Sequence, residues 1–447
     1  MSIFKSCDIR GIYGKDLTEV VAYRLGRAVG SRLQGKTVLV AGDLRPSTPA
    51  LARSVMQGLL ESGADVLDAG RIPTPTFYFA LQHLQAAGGI MVTASHNPAR
   101  YNGFKVMLGE WPITEEELAE LAAEMEAGAF SNGQGRCRRV RVLAAYADRL
   151  AQAFGDLGQH HLVVDAGNGS AGPVAPPILR RLGQKVEALY CEPDGTFPHR
   201  DPNPAVASHL VALQHEVQRT GAELGAAYDG DGDRVIFVDE TGAIHAADRL
   251  LVLFIRHLLA DHPGAAVVYD LKSSSVVPEE ILKSGGRPLM ERSGHAFIKR
   301  RLIEEGAILG GEVSGHYFFG ELRGDDALYA TLLLLRVLDR LGIPLSEAMA
   351  TVPAYPITPD IRLPCAPETV QAILEELAKA FADLPLSFLD GVRIAFPEGW
   401  ALVRPSVTEP LITLRFEARS ERALQEIQRA VRDASPTLRG IGWGEDI

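Results

Sequence analysis

Cysteine is scarce in this chain and is not arranged for chemistry. The four residues Cys7, Cys137, Cys191 and Cys365 are scattered over 447 positions, too far apart to read as a metal pair or a disulfide framework, which fits a reducing compartment. Excess positive charge is missing too: 45 Lys and Arg face 56 Asp and Glu, a formal net charge of -11. That balance argues against nucleic acid or an anionic membrane as the main partner, because either needs a basic surface. A local basic patch can still hold a small phosphate. No run of about 20 apolar residues offers a bilayer span, and Met1-Ser2-Ile3-Phe4-Lys5-Ser6 lacks a secretory h-region. The expectation is a cytoplasmic protein.

What is present is ordinary globular composition, 46% hydrophobic and 23% charged, on a chain long enough for about three or four domains. Helical and strand patterns alternate from the start: helix-like 17–33, strand-like 37–40, helix-like 48–60, strand-like 64–67, then the apolar run Gly89-Ile90-Met91-Val92. A polar stretch at 127–136 reads as a linker. A second cycle carries strand-like 161–166, the turn Gly167-Asn168-Gly169 and strand-like 185–190. A third begins near Ala247, with strands expected at 265–270 and 288–291. Such alternation implies crossover units on mixed or mostly parallel sheets. Residue-level similarity between the cycles is too weak to define a repeat. Beyond a hinge expected at 356–364, helix 368–382, strands 391–396, 400–404 and 411–418, and helix 421–434 read as a small α+β domain with an antiparallel sheet. The fold class expected is therefore α/β, three related units with mixed sheets and a C-terminal α+β domain, divided at 1–140, 141–246, 247–355 and 356–447.

Several runs carry chemistry. Thr93-Ala94-Ser95-His96-Asn97-Pro98 follows the apolar run and would hold one hydroxyl out among small polar residues; the same residues suit an Asx or Ser/Thr turn before proline. Asp229-Gly230-Asp231-Gly232-Asp233-Arg234 supplies three alternating carboxylates for a hard divalent cation beside an anion. It is not an EF-hand, because Arg234 occupies the position that needs glycine and the flanking segments read as strands. Gly311-Glu312-Val313-Ser314-Gly315-His316 offers carboxylate, hydroxyl and imidazole to a polyol, or else is a strand-to-turn segment with a satisfied histidine. Arg404-Pro405-Ser406-Val407-Thr408-Glu409-Pro410 presents a guanidinium and two hydroxyls that can hold a phosphate without reacting, or an ordinary Pro-rich turn. Arg10 in Asp8-Ile9-Arg10-Gly11 and Lys105 in Tyr101-Asn102-Gly103-Phe104-Lys105 are expected near the serine, and Ser293-Gly294-His295 opens a helix that could bind an anion.

This ordered set, together with Asp165 to Gly169 and Asp194-Gly195-Thr196-Phe197-Pro198, resembles the α-D-phosphohexomutase superfamily over almost the whole length, closest to its bacterial phosphomannomutase/phosphoglucomutase members. The resemblance implies four domains around a deep cleft, with one loop from each. It implies that Ser95 is the phosphoserine and, with Asp229, Asp231 and Asp233, holds one Mg2+, and that Arg234 closes that loop. Glu312 and Ser314 would read sugar hydroxyls, while Arg404, Ser406 and Thr408 would clamp the distal phosphate. Lys105 and His316 would move or position a proton, with Arg10, Lys272 and His295 lining the site. The implied reaction exchanges the 1- and 6-phosphates of mannose and/or glucose through a hexose 1,6-bisphosphate, which also acts as activator. The expected partners are hexose phosphates, not nucleic acid or membrane, and the state is monomer or dimer. Two positions depart from the family pattern. Val407 stands where glycine or asparagine is usual, and Cys7 where related bacterial enzymes often have tyrosine. A phosphoglucosamine mutase is the nearest alternative reading. A Mg2+-dependent sugar phosphatase is disfavoured by a second phosphate clamp, and a silent sugar-phosphate sensor by the intact serine and aspartates.

Overall fold

The computed structural model describes residues 3–406 and 410–441. Its strands form four sheets. In the first, Thr37–Gly42 lies between Asp65–Arg71 and Gly88–Val92, parallel to both, and Tyr101–Leu108 then pairs antiparallel with Gly88–Val92 and with Ile9–Ile12. In the second, His161–Asp165 lies parallel to Lys185–Leu189 and Leu224–Tyr228, and Val235–Asp239 returns antiparallel. The third repeats the plan: Ala266–Asp270 is parallel to Arg287–Glu291 and Leu309–Gly311, and Tyr317–Phe319 returns antiparallel. The last sheet is antiparallel throughout, Ile361–Pro364, Leu411–Ala418, Gly399–Pro405, Val392–Phe396 and Leu386–Ser387 in order. The expected fold class stands, and the relation that residue identity hides among the three cycles is visible as shared topology.

Central strands such as Gly88–Val92 and Leu224–Tyr228 are buried at every position, because helices cover both sides of these sheets. The helices carry their own start signals. Thr114 and Glu117 close a capping box on Glu115–Ala127, and Ser420 caps Glu421–Ala434, whose buried Ala423, Leu424, Ile427 and Val431 form one stripe. Among the described residues no helix is long and apolar enough to cross a membrane.

Two segments expected to be connections also make defined backbone contacts. In the expected linker 127–136, the Gly133 and Gly135 N–H groups donate to the Glu61 and Leu60 carbonyls at the end of helix Thr48–Glu61, and the residues after it, Cys137–Arg139, add a parallel strand beside Asp65–Arg71. Glycine permits this, since a Cβ on Gly135 would lie 1.9 Å from the Ala64 oxygen. In the supposed hinge, Thr358 N–H donates to the Phe416 carbonyl and Ile361–Pro364 forms the sheet edge, the place where a strand ending in proline is tolerated.

Each sequence motif occupies the same topological place. The serine run links Gly88–Val92 to Tyr101–Leu108, and the aspartate run links Leu224–Tyr228 to Val235–Asp239. The Glu312 run links Leu309–Gly311 to Tyr317–Phe319, and the Arg404 run joins Gly399–Pro405 to Leu411–Ala418. Each lies in the chain between two adjacent antiparallel strands.

Candidate active site

The serine loop is held from below. Arg45 is completely buried and donates from Nη2 to the Ser95 and Asn97 carbonyls at 2.7 and 2.6 Å, and from Nη1 to those of Pro98 and Tyr101 at 2.8 and 3.0 Å. Its Nε donates to Asp43 at 2.9 Å. So anchored, Ser95 adopts φ of 48°, a left-handed conformation that a non-glycine residue keeps only when its surroundings impose it. The conformation aims Oγ at domain II, where it donates to Asp229 Oδ2 at 2.8 Å, with His96 Nδ1 at 3.2 Å.

Asp229, Asp231 and Asp233 are fully buried, and one oxygen from each lies within 4.8 Å of the others. Gly232, at φ of 78°, turns the loop so that Asp229 Oδ1 accepts the N–H groups of Gly232, Asp233 and Arg234. Asp231 Oδ2 accepts from Thr74 at 2.6 Å, Thr93 at 3.2 Å and Lys105 at 3.1 Å. Lys105 also donates to Asp233. Burial, and then the neighbouring Asp233 and Asp231, push the Asp229 carboxyl well above the usual carboxylate range. For Lys105, burial opposes the charge, but Asp231 and Asp233 outweigh it and hold its pKa well above the ordinary lysine value. Asp231 Oδ1 and Asp233 Oδ1 are buried without a hydrogen-bond partner. An all-oxygen cage with unsatisfied lone pairs fits a hard divalent cation such as Mg2+.

The second and third loops are stitched together by an antiparallel bridge between Arg234 and His316. Arg234 Nε–H donates to His316 Nε2 at 2.9 Å, and His316 Nδ1 meets Asp325 Oδ2 at 2.7 Å; with Nε2 accepting, Nδ1 carries the proton. Glu312 Oε2 accepts from the Ser314 hydroxyl at 3.1 Å and lies 3.8 Å from His316 Nε2. Its Oε1 accepts the Gly294 N–H at 2.5 Å, so the helix N-terminus read as an anion site is already faced by a carboxylate of this chain. His295 is buried, with Nε2 3.9 Å from Asp8, too far for a hydrogen bond. Arg10 is paired with Asp8 at 2.7 Å and donates to Asn97 Oδ1 at 2.9 Å beside the serine.

Toward the last domain, Lys272 pairs with Asp360 at 2.7 Å, and Arg404 with Asp390 at 2.9 Å. The Ser406 N–H donates to the Leu411 carbonyl at 2.9 Å. Thr408 and Val407 lie outside the described residues. Cys7 packs beside Gly294, where a Cβ would meet its sulfur at 2.8 Å. Sequence reasoning missed Asp43, Arg45, Thr74, Asp325, Asp360 and Asp390, which reach the site from segments without a motif. The one signal available was the compact Asp43-Leu44-Arg45-Pro46-Ser47-Thr48 run before a helix.

A serine facing a carboxylate cage, with a Glu312–Ser314 loop and Arg404 at equivalent places in the sheets, suits an enzyme of the phosphohexomutase class. The chain belongs to the phosphoglucomutase/phosphomannomutase family, whose α/β/α domains I, II and III match residues 1–132, 144–242 and 246–355, and whose C-terminal domain matches 361–434. It is 38% identical to the phosphomannomutase/phosphoglucomutase of Pseudomonas aeruginosa, with 97% of this chain and 95% of the relative covered. It is also 38% identical to a phosphoglucomutase of Neisseria gonorrhoeae, with 98% of each covered. A solved phosphoglucomutase/phosphomannomutase family protein of Burkholderia thailandensis superposes with a TM-score of 0.90 at 38% identity, over 97% of this chain and 98% of that one.

Proposed function

We propose that the chain interconverts the 1- and 6-phosphates of glucose and mannose, with Ser95 as the phosphoryl carrier. The observation that carries the reading is the Ser95 hydroxyl pointing from domain I at Asp229 in domain II, a position where only a group destined for the cation cage belongs. Phosphorylated, Ser95 bears a charge of about -1.5 to -2, and Lys105 and Arg10 stand beside its loop to balance it. Asp229, Asp231 and Asp233, with the phosphoserine, would hold Mg2+, which when bound supplies charge neutralisation to the oxygens of the transferring phosphoryl group. Glu312 and Ser314 hold ring hydroxyls, and Arg404, Ser406 and Thr408 the phosphate that does not react. Lys105 and His316, the latter held between Arg234 and Asp325, would move or position the proton of the attacking sugar hydroxyl. Lys272 and His295 line the substrate's path. The product of this half-reaction is a hexose 1,6-bisphosphate, which turns end for end and returns its other phosphate to Ser95.

The domain limits that go with this reading are 140/141, 246/247 and 355/356, and the setting is the cytoplasm. A coupled assay with glucose 1-phosphate, mannose 1-phosphate and glucosamine 1-phosphate, with Mg2+ and a trace of glucose 1,6-bisphosphate, tests it. A reader that must accept the bisphosphate in both orientations contacts hydroxyls in similar places after the flip, so carbon 2 is ignored. Glucose and mannose phosphates should then differ by less than about tenfold in kcat/KM, ~1.4 kcal/mol. A preference for glucosamine phosphate of about a thousandfold would replace the sugar assignment and leave the mutase reading in place; turnover that survives excess EDTA would remove the metal.

A further inference from the structure

Arg404 does not await its phosphate as a bare cation. It stands at the end of Gly399–Pro405, and the turn preceding Val392–Phe396 on the next strand brings Asp390 against it, with 2.9 Å between Nη1 and Oδ2. Both side chains are largely buried, 12% and 18% exposed, so water screens the pair little. The approach is built into the backbone. Gly391 has φ of 72°, and a Cβ there would lie 2.2 Å from the Val403 carbonyl oxygen and 2.6 Å from the Arg404 Cα. Burial raises the Asp390 carboxyl above the usual range, while Arg404, Lys272 and Arg292 pull it back. Of these cations only Arg404 is in contact with Asp390. Lys272 is itself paired with Asp360 and Arg292 with Glu115, at 2.7 and 3.4 Å, so each of these three cations already has a carboxylate of its own.

We propose that Asp390 is a positioning residue that stands in for the substrate's unreacting phosphate, orienting Arg404 and weakening the clamp enough for the bisphosphate to let go and turn round. This rests on the mutase reading above. A phosphate dianion entering beside Arg404 must share it with Asp390, which repels it. Phosphate affinity is thereby lower than the cations alone would give. For an ordinary one-way enzyme that is wasted binding; for a mutase it is useful. Tight binding of the bisphosphate in one orientation stabilises the intermediate without stabilising the next transition state, so turnover falls as affinity rises. Keeping Arg404 in a fixed rotamer also spares the substrate the cost of ordering it.

The test compares wild type, Asp390→Asn and Asp390→Glu. Asparagine keeps the shape and one acceptor for Arg404 but removes the charge. Asp390→Asn should bind glucose 1,6-bisphosphate about tenfold more tightly by calorimetry, a factor equal to ~1.4 kcal/mol, and should lower KM for glucose 1-phosphate and kcat together. Asp390→Glu should restore kcat toward the wild-type value, which a variant damaged only in folding would not explain. Unchanged bisphosphate affinity in Asp390→Asn, or a raised KM at constant kcat, would overturn the role of Asp390 while wild-type turnover leaves the mutase reading intact. A wild type that neither binds the bisphosphate nor isomerises any hexose phosphate would overturn the functional reading, and this proposal with it.

Discussion

Ser95 is set apart by its backbone and its partner rather than by its side chain. Its hydroxyl is no better a nucleophile than any other serine's; what differs is a left-handed backbone that projects Oγ toward Asp229. Replacing it with alanine should leave the loop in place, since Arg45 and Thr93 grip the backbone, and should lower mutase activity by several orders of magnitude through loss of the carrier. Intact-mass analysis should find one phosphate on the wild type and none on Ser95→Ala. Asp326 is tuned differently. It accepts the Tyr329 N–H at the start of Ala327–Leu341 and the Tyr146 hydroxyl, and burial raises its pKa from 3.8 to about 6. Because the folded value is the higher one, its contribution to stability is fully present below about pH 4 and is lost as the pH rises through 6. Asp326→Asn keeps an acceptor for Tyr329 without the titration. Relative to wild type it should gain stability between pH 4 and 6, up to about 3 kcal/mol. Urea midpoints at pH 4, 5, 6 and 7 check this, and a constant offset across them would show that Asp326 is not the titrating group.

At the scale of elements, the four motifs were legible because each is contiguous, and each is contiguous because it lies in the chain between neighbouring antiparallel strands. Their support was not. Asp43, Arg45 and Thr74 come from strand ends and helix starts that only sheet order brings beneath the serine, so no spacing in the chain announces them. The segments 127–136 and 356–364, read as linker and hinge, are nevertheless held by backbone contacts. Glycine and proline mark connections in most contexts, yet here glycines allow backbone-to-backbone contact and proline ends an edge strand. The run Asp194-Gly195-Thr196-Phe197-Pro198 also gains a meaning. A Cβ on Gly195 would lie 2.1 Å from the Leu44 oxygen, and the Arg45 guanidinium sits 5.2 Å from the Phe197 ring centroid. Domain II therefore braces the arginine that braces the serine. Arg45→Met removes every donor under the loop. A displacement of about 1 Å is enough to cost about a hundredfold in rate, so kcat/KM should fall at least that far. Arg45→Lys should not rescue it, because one ammonium cannot span four carbonyls. Wild-type kcat/KM in Arg45→Met would show that the loop holds itself.

For the whole molecule, the proposed reaction would have Ser95 in the first domain and Arg404 in the last address one substrate, which would make the docking of the C-terminal domain part of the chemistry. Trp400 is the centre of that docking. It is almost fully buried and packs with Leu271 and Leu402, flanked by Met290 and Ile357, while Arg393 lies over its ring at 4.6 Å. Its Nε1–H donates to Glu417 Oε1 at 3.0 Å, and the same oxygen accepts the Ser275 N–H of domain III at 2.8 Å. One indole thus fills the apolar seam and orients the carboxylate that crosses it. Trp400→Phe keeps most of the ring but leaves Glu417 buried with a lost donor, which costs about 1 to 3 kcal/mol, or more for a charged group. That loss falls on the interface between domains III and IV rather than on the core of either. The C-terminal domain should then spend more time undocked. KM for hexose phosphates should rise more than kcat falls, because the distal phosphate loses Arg404 while Ser95 and its cage are untouched. Phosphorylation of Ser95 should stay at the wild-type level, and limited proteolysis near the 355/356 boundary should quicken as the seam between the two domains opens. A fall in kcat at constant KM, with unchanged proteolysis, would mean that Trp400 supports the core of its own domain and that polar pairs such as Lys272–Asp360 hold the two together.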